Sequence, residues 1–423
     1  MLTALRANII AAPALGKLEI TEYGYLVLQD GVTLGVFPTL PEIYKTAQIE
    51  DFGDALLLQS FADMHLHAPQ FPMVGMGMDI PLLDWLNTYT FPLEAAFKDI
   101  EYARAVYTQL AATLINNGTT RVCMYGTIHT DATLLLMRIL DDAGITGYVG
   151  KVNMDRNAPD YLCESTGESL RETLRWLGEC ERFRNIRPML TPRFVPSCTG
   201  ELMGGIGRLA AARGLYIQSH LSENRSEMAW VKELHPDCGQ YWETYEKYGL
   251  WKDHTIMAHC VHSDARERAA MREHGVYMCH CADSNINLAS GIAPVRAMLD
   301  EGLRVVLGSD IAGGSQLPML SVCAQSIRAS KMRRILTGWT EEILTPAEVY
   351  YLATSAGAQY FGGGTGFPVG EPLHALVLDD KGFSKTVRTG ANPPTLAQRL
   401  ERAMYLADSR HIAAVFSAGR RVK

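Results

Sequence analysis

Two histidines one residue apart, His65 and His67, stand in the apolar run FADMHLHAPQ at residues 61–70. Side chains repeat every two residues along a strand, so both imidazoles project from one face. Side by side in a core, each needs a partner for its ring N–H, and a shared divalent cation takes the other nitrogen of each ring. An H-x-H pair alone does not separate that reading from two ordinary core histidines. Three more residues bear on it: His220 in QSHLSEN, His259 in MAHCVH and Asp310 in VLGSDIAGG, all near the ends of apolar, strand-like runs. Histidine and aspartate around one cation suit a catalytic zinc, which keeps a position open for water. Glu223, three residues after His220, is placed to reach that water without ligating, as a proton shuttle must. Its bland alternative is a helix-starting glutamate near the positive end of the macrodipole.

These residues meet only if the elements that carry them are aligned. From Phe61 onward, eight apolar runs alternate with helical segments: FADMHLHA, RVCMYG, YVGKVNM, PMLTPRF, YIQSHLSE, TIMAHCVH, VYMCHC and RVVLGSD. Between the first two, Tyr102, Val106, Leu110 and Leu114 form one helical stripe from Asp99 to Asn117, and Gly118 suits the stop. Strict alternation over about 250–300 residues favours an α/β fold, a (β/α)8 TIM-like barrel whose strand C-termini share one face, where active sites are built. A doubly wound open sheet is the alternative, but no G-x-G-x-x-G follows any strand. The first sixty residues, and FPVGEPLHALVLDD and IAAVFSAGRRVK near the end, read as short strands with Gly turns. The expected division is a small flanking β-sandwich domain built from both termini, residues 1–58 and 363–423, around a metal-dependent hydrolase barrel at 59–362.

Composition fits a globular enzyme: 423 residues, 47% hydrophobic and 20% charged. A net charge of −7 argues against nucleic acid or an anionic membrane as the main partner. The nine cysteines include no C-x-x-C pair and read as reduced thiols of a cytoplasmic protein. The N-terminal segment lacks the continuous apolar region of a secretory signal, and no run of about 18 apolar residues follows. Cys279-His280-Cys281 reads as strand packing, both cysteines on one face and His280 on the other near the pocket, rather than as a second metal cluster. His129, His235, His254, His262, His274, His374 and His411 have no spacing argument. Asp63 and Asp79 are candidates to support the site from behind. The other zinc deaminase pattern, H-x-E with P-C-x-x-C, is absent.

The motifs D-M-H-L-H (63–67), S-H-L-S-E-N (219–224), A-H-C-V-H (258–262) and G-S-D (308–310) resemble the amidohydrolase superfamily. More narrowly, HAPQF (67–71), MDIPLLDWLNTYTFPLEAAF (78–97), LTPRFVPSC (190–198), QSHLSENRSE (218–227), CADSNINLASG (281–291) and LGSDIAGG (307–314) resemble its guanine deaminase family. The Trp85 segment and Pro192-Arg193-Phe194 carry the narrow match. The resemblance implies metal ligands at His65, His67, His220 and Asp310, and a general acid/base at Glu223. It implies that His259 bonds near the reacting water or substrate, and that Gln70, Arg193, Phe194 and His220 hold the purine. It further implies one zinc per chain, with ferrous iron an open alternative, and a homodimer. The implied reaction is hydrolysis of guanine to xanthine and ammonia by a metal-activated water. Hydroxide attacks C2 while Glu223 passes a proton to N3, Asp310 helps protonate the leaving amine, and His259 steadies the tetrahedral centre.

A guanidinium suits the C6 carbonyl, an amide both donates and accepts, and a phenyl ring packs against the base. Without the family, Arg193 also reads as a salt-bridging arginine and Phe194 as a core residue. Pocket residues, not the metal set, separate guanine from 8-oxoguanine, cytosine or a triazine. A non-catalytic scaffold is the reading from a different class, and it would have lost ligands; none is missing. One departure stands out: Gln59-Ser60 occupies the place where the superfamily usually has Pro-Gly, which puts the turn between the flanking domain and the barrel in question.

Overall fold

The computed structural model of the chain describes residues 1–384, 387 and 392–423. Its first strands are β1 (Leu2–Ala14), β2 (Lys17–Gln29), β3 (Val32–Phe37) and β4 (Gln48–Gln59). β1 pairs antiparallel with β2 and parallel with β4. In β4, Leu56 and Leu58 enter the main core, while Ala55 and Leu57 join a second apolar cluster with Leu5, Ile9 and Leu26. A strand covered on both faces shows no period, which is why its sequence is the unbroken run ALLL.

The eight expected apolar runs all form strands, in order. They are β5 (Phe61–His67), β6 (Thr119–Tyr125), β7 (Thr146–Gly150) with β8 (Val152–Asn153), β9 (Ile186–Pro188) with β10 (Thr191–Pro192), β11 (Ile217–Leu221), β12 (Thr255–His259), β13 (Tyr277–His280) and β14 (Arg304–Leu307). Pro188 and Pro192 lack the N–H a ladder needs, and the fourth run is accordingly broken in two. Hydrogen bonding groups these strands as β5-β6-β7-β9, β11-β12-β13-β14 and the pair β8-β10. A parallel bridge joins Leu190 to Ile217. Across the opposite seam, Asp310 N donates to His65 O at 2.8 Å and His67 N to Ile311 O at 3.1 Å.

Helices fill the crossovers. Between β5 and β6, Asp99 caps the helix Ile100–Asn116 by accepting from the N–H groups of Glu101 and Tyr102. Val106, Leu110 and Leu114 are buried on it, as the spacing predicts, and Gly118 ends it at φ +75°. Residues beyond β11 form the helices Arg225–Leu234 and Tyr241–Lys247.

At the C-terminal end, β15 (Ala375–Leu378), β16 (Ile412–Ser417) and β17 (Arg420–Arg421) complete a seven-stranded sheet ordered β17-β16-β15-β4-β1-β2-β3. Both termini therefore build one hydrogen-bonded sheet; residues 385, 386 and 388–391 of the expected 363–423 segment lie outside the described residues. All nine cysteines are free thiols. Among the described residues, no helix is long and apolar enough to cross a membrane.

The Gln59-Ser60 departure has a structural counterpart. Gln59 Oε1 accepts from Ala12 N at 2.7 Å, its Nε2 donates to Ser355 Oγ at 2.9 Å, and its N–H donates to Tyr350 Oη at 2.8 Å. These bonds thus knot β1, β4 and the helices Pro346–Ala353 and Ser355–Tyr360 where a Pro-Gly turn is usual. Glu or Ala at this position leaves buried groups unmatched, and Gln59→Ala is expected to cost about 2 kcal/mol. A lowered urea midpoint with unchanged m-value checks this.

Candidate active site

The strand ends bring the five residues together. His65 and His67 lie at the C-terminal end of β5, and the backbone bonds to Asp310 and Ile311 hold the loop after β14 against them. The Asp310 carboxylate oxygen Oδ1 then lies 3.2 Å from His65 Nε2 and 3.5 Å from His67 Nε2. His220, in β11, bonds through Nδ1 to Arg193 O at 2.6 Å and turns Nε2 to within 3.3 Å of His67 Nε2. His259 ends β12; its Nδ1 meets Asn285 Oδ1 at 2.8 Å, and its Nε2 lies 3.6 Å from Glu223 and 3.8 Å from Asp310 Oδ2.

Glu223 sits just outside the helix Arg225–Leu234, not in its first turn. Asn224 is the cap, and Glu227 accepts from the N–H groups of Glu223 and Asn224, which leaves the Glu223 carboxylate free to face the cluster. It accepts one bond there, from Ser290 Oγ at 3.2 Å. Ser222, His259, Cys260 and Asp310 have φ of +47°, +72°, +46° and +46°. This left-handed backbone is costly for residues with a Cβ, and such strain collects where a site over-determines its geometry. Asp63 accepts from Ser309 N at 2.9 Å and from the Ser309 hydroxyl, tying β5 to the residue before Asp310. Burial pushes its carboxyl up to about 7 despite those bonds. Asp79, by contrast, is exposed and lies outside the pocket wall.

Burial lowers the pKa of His65, and carries His67 and His220 well below the usual histidine value. Burial thus favours the neutral form of each ring, the form that has a lone pair to give. Burial alone would raise Asp310, yet the imidazoles of His65, His259 and His67 hold it well below the usual carboxylate range. Burial raises Glu223 to about 7, against the pull of His259 and with the push of the Glu227 and Asp310 carboxylates. His259 stays above its ordinary value in spite of burial, because Glu223 and Asp310 face it.

The donor set fits a divalent cation. His65 Nδ1 and Nε2 and His67 Nδ1 are buried without a hydrogen-bond partner, and the Nε2 atoms of His67 and His220 face each other at 3.3 Å. His65, His67 and Asp310 offer ligand atoms within 4.8 Å of one another, as do His65, His220 and His259. Asp310 Oδ1 serves the side of His65 and His67, whereas His259 faces Oδ2 and Glu223, so His259 stands on the carboxylate side of the cluster.

Beneath Glu223, Ser222 and Ser263 donate to Glu267, whose carboxyl burial raises to about 7. A raised carboxyl stabilises the fold fully below its unfolded value, and that contribution is lost as pH climbs through about 7. Glu267→Gln is neutral throughout. It is therefore expected to exceed the parent in stability by up to about 3 kcal/mol at pH 8 and to match it near pH 4, by urea unfolding at both.

Above the cluster, Leu82, Trp85, Leu86, Phe194 and Leu288 line a pocket with Gln70 and Arg193. Arg193 does make a salt bridge, but a buried one inside the pocket wall, to Glu94 at 2.6 Å. Gln70 Nε2 donates to the same carboxylate at 2.9 Å. The Phe194 ring centre is 6.5 Å from that of His220, and Tyr125 packs at 4.4 Å on His67. Glu94, Asn285 and Tyr125 were not foreseen. Glu94 has Lys98 four residues on and looks in sequence like half of an exposed helix pair; the fold turns it inward instead.

The expectation that His280 borders the pocket is corrected. Alternation along β13 sends His280 outward among Ile292, Arg296 and Ser326, while the position of Gly308 brings Cys279 beside His65 on the inner side. His235, His254, His262, His274, His374 and His411 contact Arg156, Asp253, Ser290, Ala270, Thr120 and Asp408, all outside the pocket wall. His129 directly precedes the helix Thr130–Asp142 and is likewise outside it.

The sequence model of the amidohydrolase family matches residues 56–422. Guanine deaminases of Dictyostelium discoideum and Homo sapiens are each 36% identical, over 386 and 390 residues, covering 90% of this chain and 85% and 86% of those proteins. A crystal structure of guanine deaminase from C. acetobutylicum, with guanine bound in its active site, has a TM-score of 0.96 at 40% identity, covering 100% of both chains.

Proposed function

The chain belongs to the amidohydrolase family, and from that premise we propose that it hydrolyses guanine to xanthine and ammonia with a water activated at His65, His67, His220 and Asp310. What carries the reading is the union, in one pocket, of that buried donor set with Gln70 and Arg193 on a shared carboxylate. A divalent cation held there supplies the Lewis acidity that makes water nucleophilic near neutral pH. Zinc is proposed because neutral imidazoles and one carboxylate suit it, and ferrous iron accepts the same donors.

Arg193 donates to the C6 carbonyl, Gln70 bonds the ring edge, and Phe194 packs against the base. His220 lines the pocket floor, where its ring meets both Phe194 and the base. Glu223, titrating near 7, takes a proton from water and gives it to N3 as C2 becomes tetrahedral. Asp310 takes the remaining proton from the hydroxyl now on C2 and returns it to the amine, which leaves as ammonia while the C2 carbonyl forms. His259, held at Nδ1 by Asn285, keeps Nε2 toward the developing tetrahedral centre.

We read β5 to β14 as a closed (β/α)8 barrel over residues 59–362, flanked by a β-sandwich domain from 1–58 and 363–423. The Leu190–Ile217 bridge and the Asp310–His65 bond support closure at the two seams, and the two apolar faces of β4 support a layered flanking domain. Free thiols support a cytoplasmic location, and a homodimer rests on the family resemblance. Ammonia release by the zinc-loaded protein from guanine, adenine, cytosine, 8-oxoguanine and a triazine tests the function. Guanine is expected to be preferred by about 100-fold or more. Turnover of another heterocycle with none of guanine would overturn the pocket assignment.

A further inference from the structure

Glu94 lies 24 residues from Gln70 and 99 from Arg193, yet one carboxylate serves both: Oε1 accepts from Gln70 Nε2 at 2.9 Å and Oε2 from Arg193 at 2.6 Å. It is 2% exposed, on the short helix Phe91–Ala96, whose Phe91 ring centre lies 5.5 Å from the same guanidinium. At its other end, Gln70 Oε1 accepts from Ala312 N at 3.1 Å. The amide is therefore held from both sides, and exchanging its ends would oppose donor to donor and acceptor to acceptor. The Arg193 charge is offset inside the wall. An uncompensated buried guanidinium would draw anions; an offset one offers N–H groups to a neutral carbonyl.

We infer that Glu94 is a positioning residue for purine recognition: it aims Gln70 and Arg193 and offsets the guanidinium charge, so the pocket takes a neutral 6-oxopurine and releases a product that ionises. This rests on the reading of Gln70 and Arg193 as base contacts. Xanthine carries one carbonyl more than hypoxanthine and is the stronger acid, so in mild alkali it is largely an anion while hypoxanthine is largely neutral. The Glu94 carboxylate disfavours that anion beside Arg193.

Glu94→Gln, Glu94→Asp and Arg193→Lys, each metal-loaded, test this through kcat and KM for guanine and inhibition constants for xanthine and hypoxanthine at about pH 8. Glu94→Gln is expected to raise KM for guanine by about 10-fold or more while kcat changes less than about threefold, and to tighten xanthine relative to hypoxanthine. Glu94→Asp keeps the charge and should keep the parent ratio of the two inhibition constants while raising KM. A KM unchanged by Glu94→Gln, or xanthine and hypoxanthine weakened in parallel, overturns the inference. If Glu94→Gln does not fold, Glu94→Asp decides: a raised KM with the parent ratio supports the role, and an unchanged KM removes it. Arg193→Lys separates the premises. A KM raised in Arg193→Lys but not in the Glu94 variants sinks the role of Glu94 alone, whereas KM unchanged in both sinks the base-contact reading.

Discussion

Glu223→Gln is expected to keep its cation and lose about 1000-fold in kcat. The side chain stays the same size, its backbone N–H remains on Glu227, and the cap of the following helix is untouched, so fold and donor set persist. What disappears is a carboxylate that burial sets to about 7, where it can both take a proton from water and give one to the ring. The pH profile should change in parallel. In the parent, the ionised form accepts the first proton, so kcat/KM falls as pH drops through about 7; the variant should lack that limb. Steady-state rates with metal content measured on the same samples check both. Full turnover with metal bound would remove the shuttle role.

The second large effect is metal removal. A chelated protein is expected to lose turnover by at least about 10000-fold and recover it with one equivalent of zinc or ferrous iron per chain. It should also be less stable. Without a cation the imidazoles of His65, His67 and His220 and the carboxylate of Asp310 are left buried together, with both ring nitrogens of His65 and the Nδ1 of His67 unmatched. With free metal at about 100 times its dissociation constant, binding adds about 2.7 kcal/mol to the folded state. Thermal unfolding with and without metal measures this. Turnover surviving exhaustive chelation would refute the metal reading.

Strand periodicity made much of the site legible. H-x-H fixed two imidazoles to one face, and the alternation of strands and helices placed His220, His259 and Asp310 at strand ends that converge. The sequence resemblance singled out Gln70, Arg193 and Phe194, which do line one pocket. Partners far apart in the chain left no such mark. Glu94 meets Arg193 across 99 residues, and its nearest cation in sequence, Lys98, is exposed. Asn285 meets His259 only because the short helix Ala282–Asn287 that follows β13 lies beside the end of β12. His280 was assigned the right face relative to its cysteines but the wrong layer, since alternation tells two faces apart without saying which one is inner. The flanking sheet was visible as strands but not in its order: β1 lies between β2 and β4, and strands buried on both faces offer no alternation from which to read a register.

The most direct test of the central claim, that this site adds water to C2 of guanine, is mass analysis of the purine formed from guanine in oxygen-18 water by the metal-loaded protein. The account predicts xanthine carrying one solvent oxygen, with one ammonia released per xanthine. No xanthine from guanine, or xanthine without the label, would contradict it.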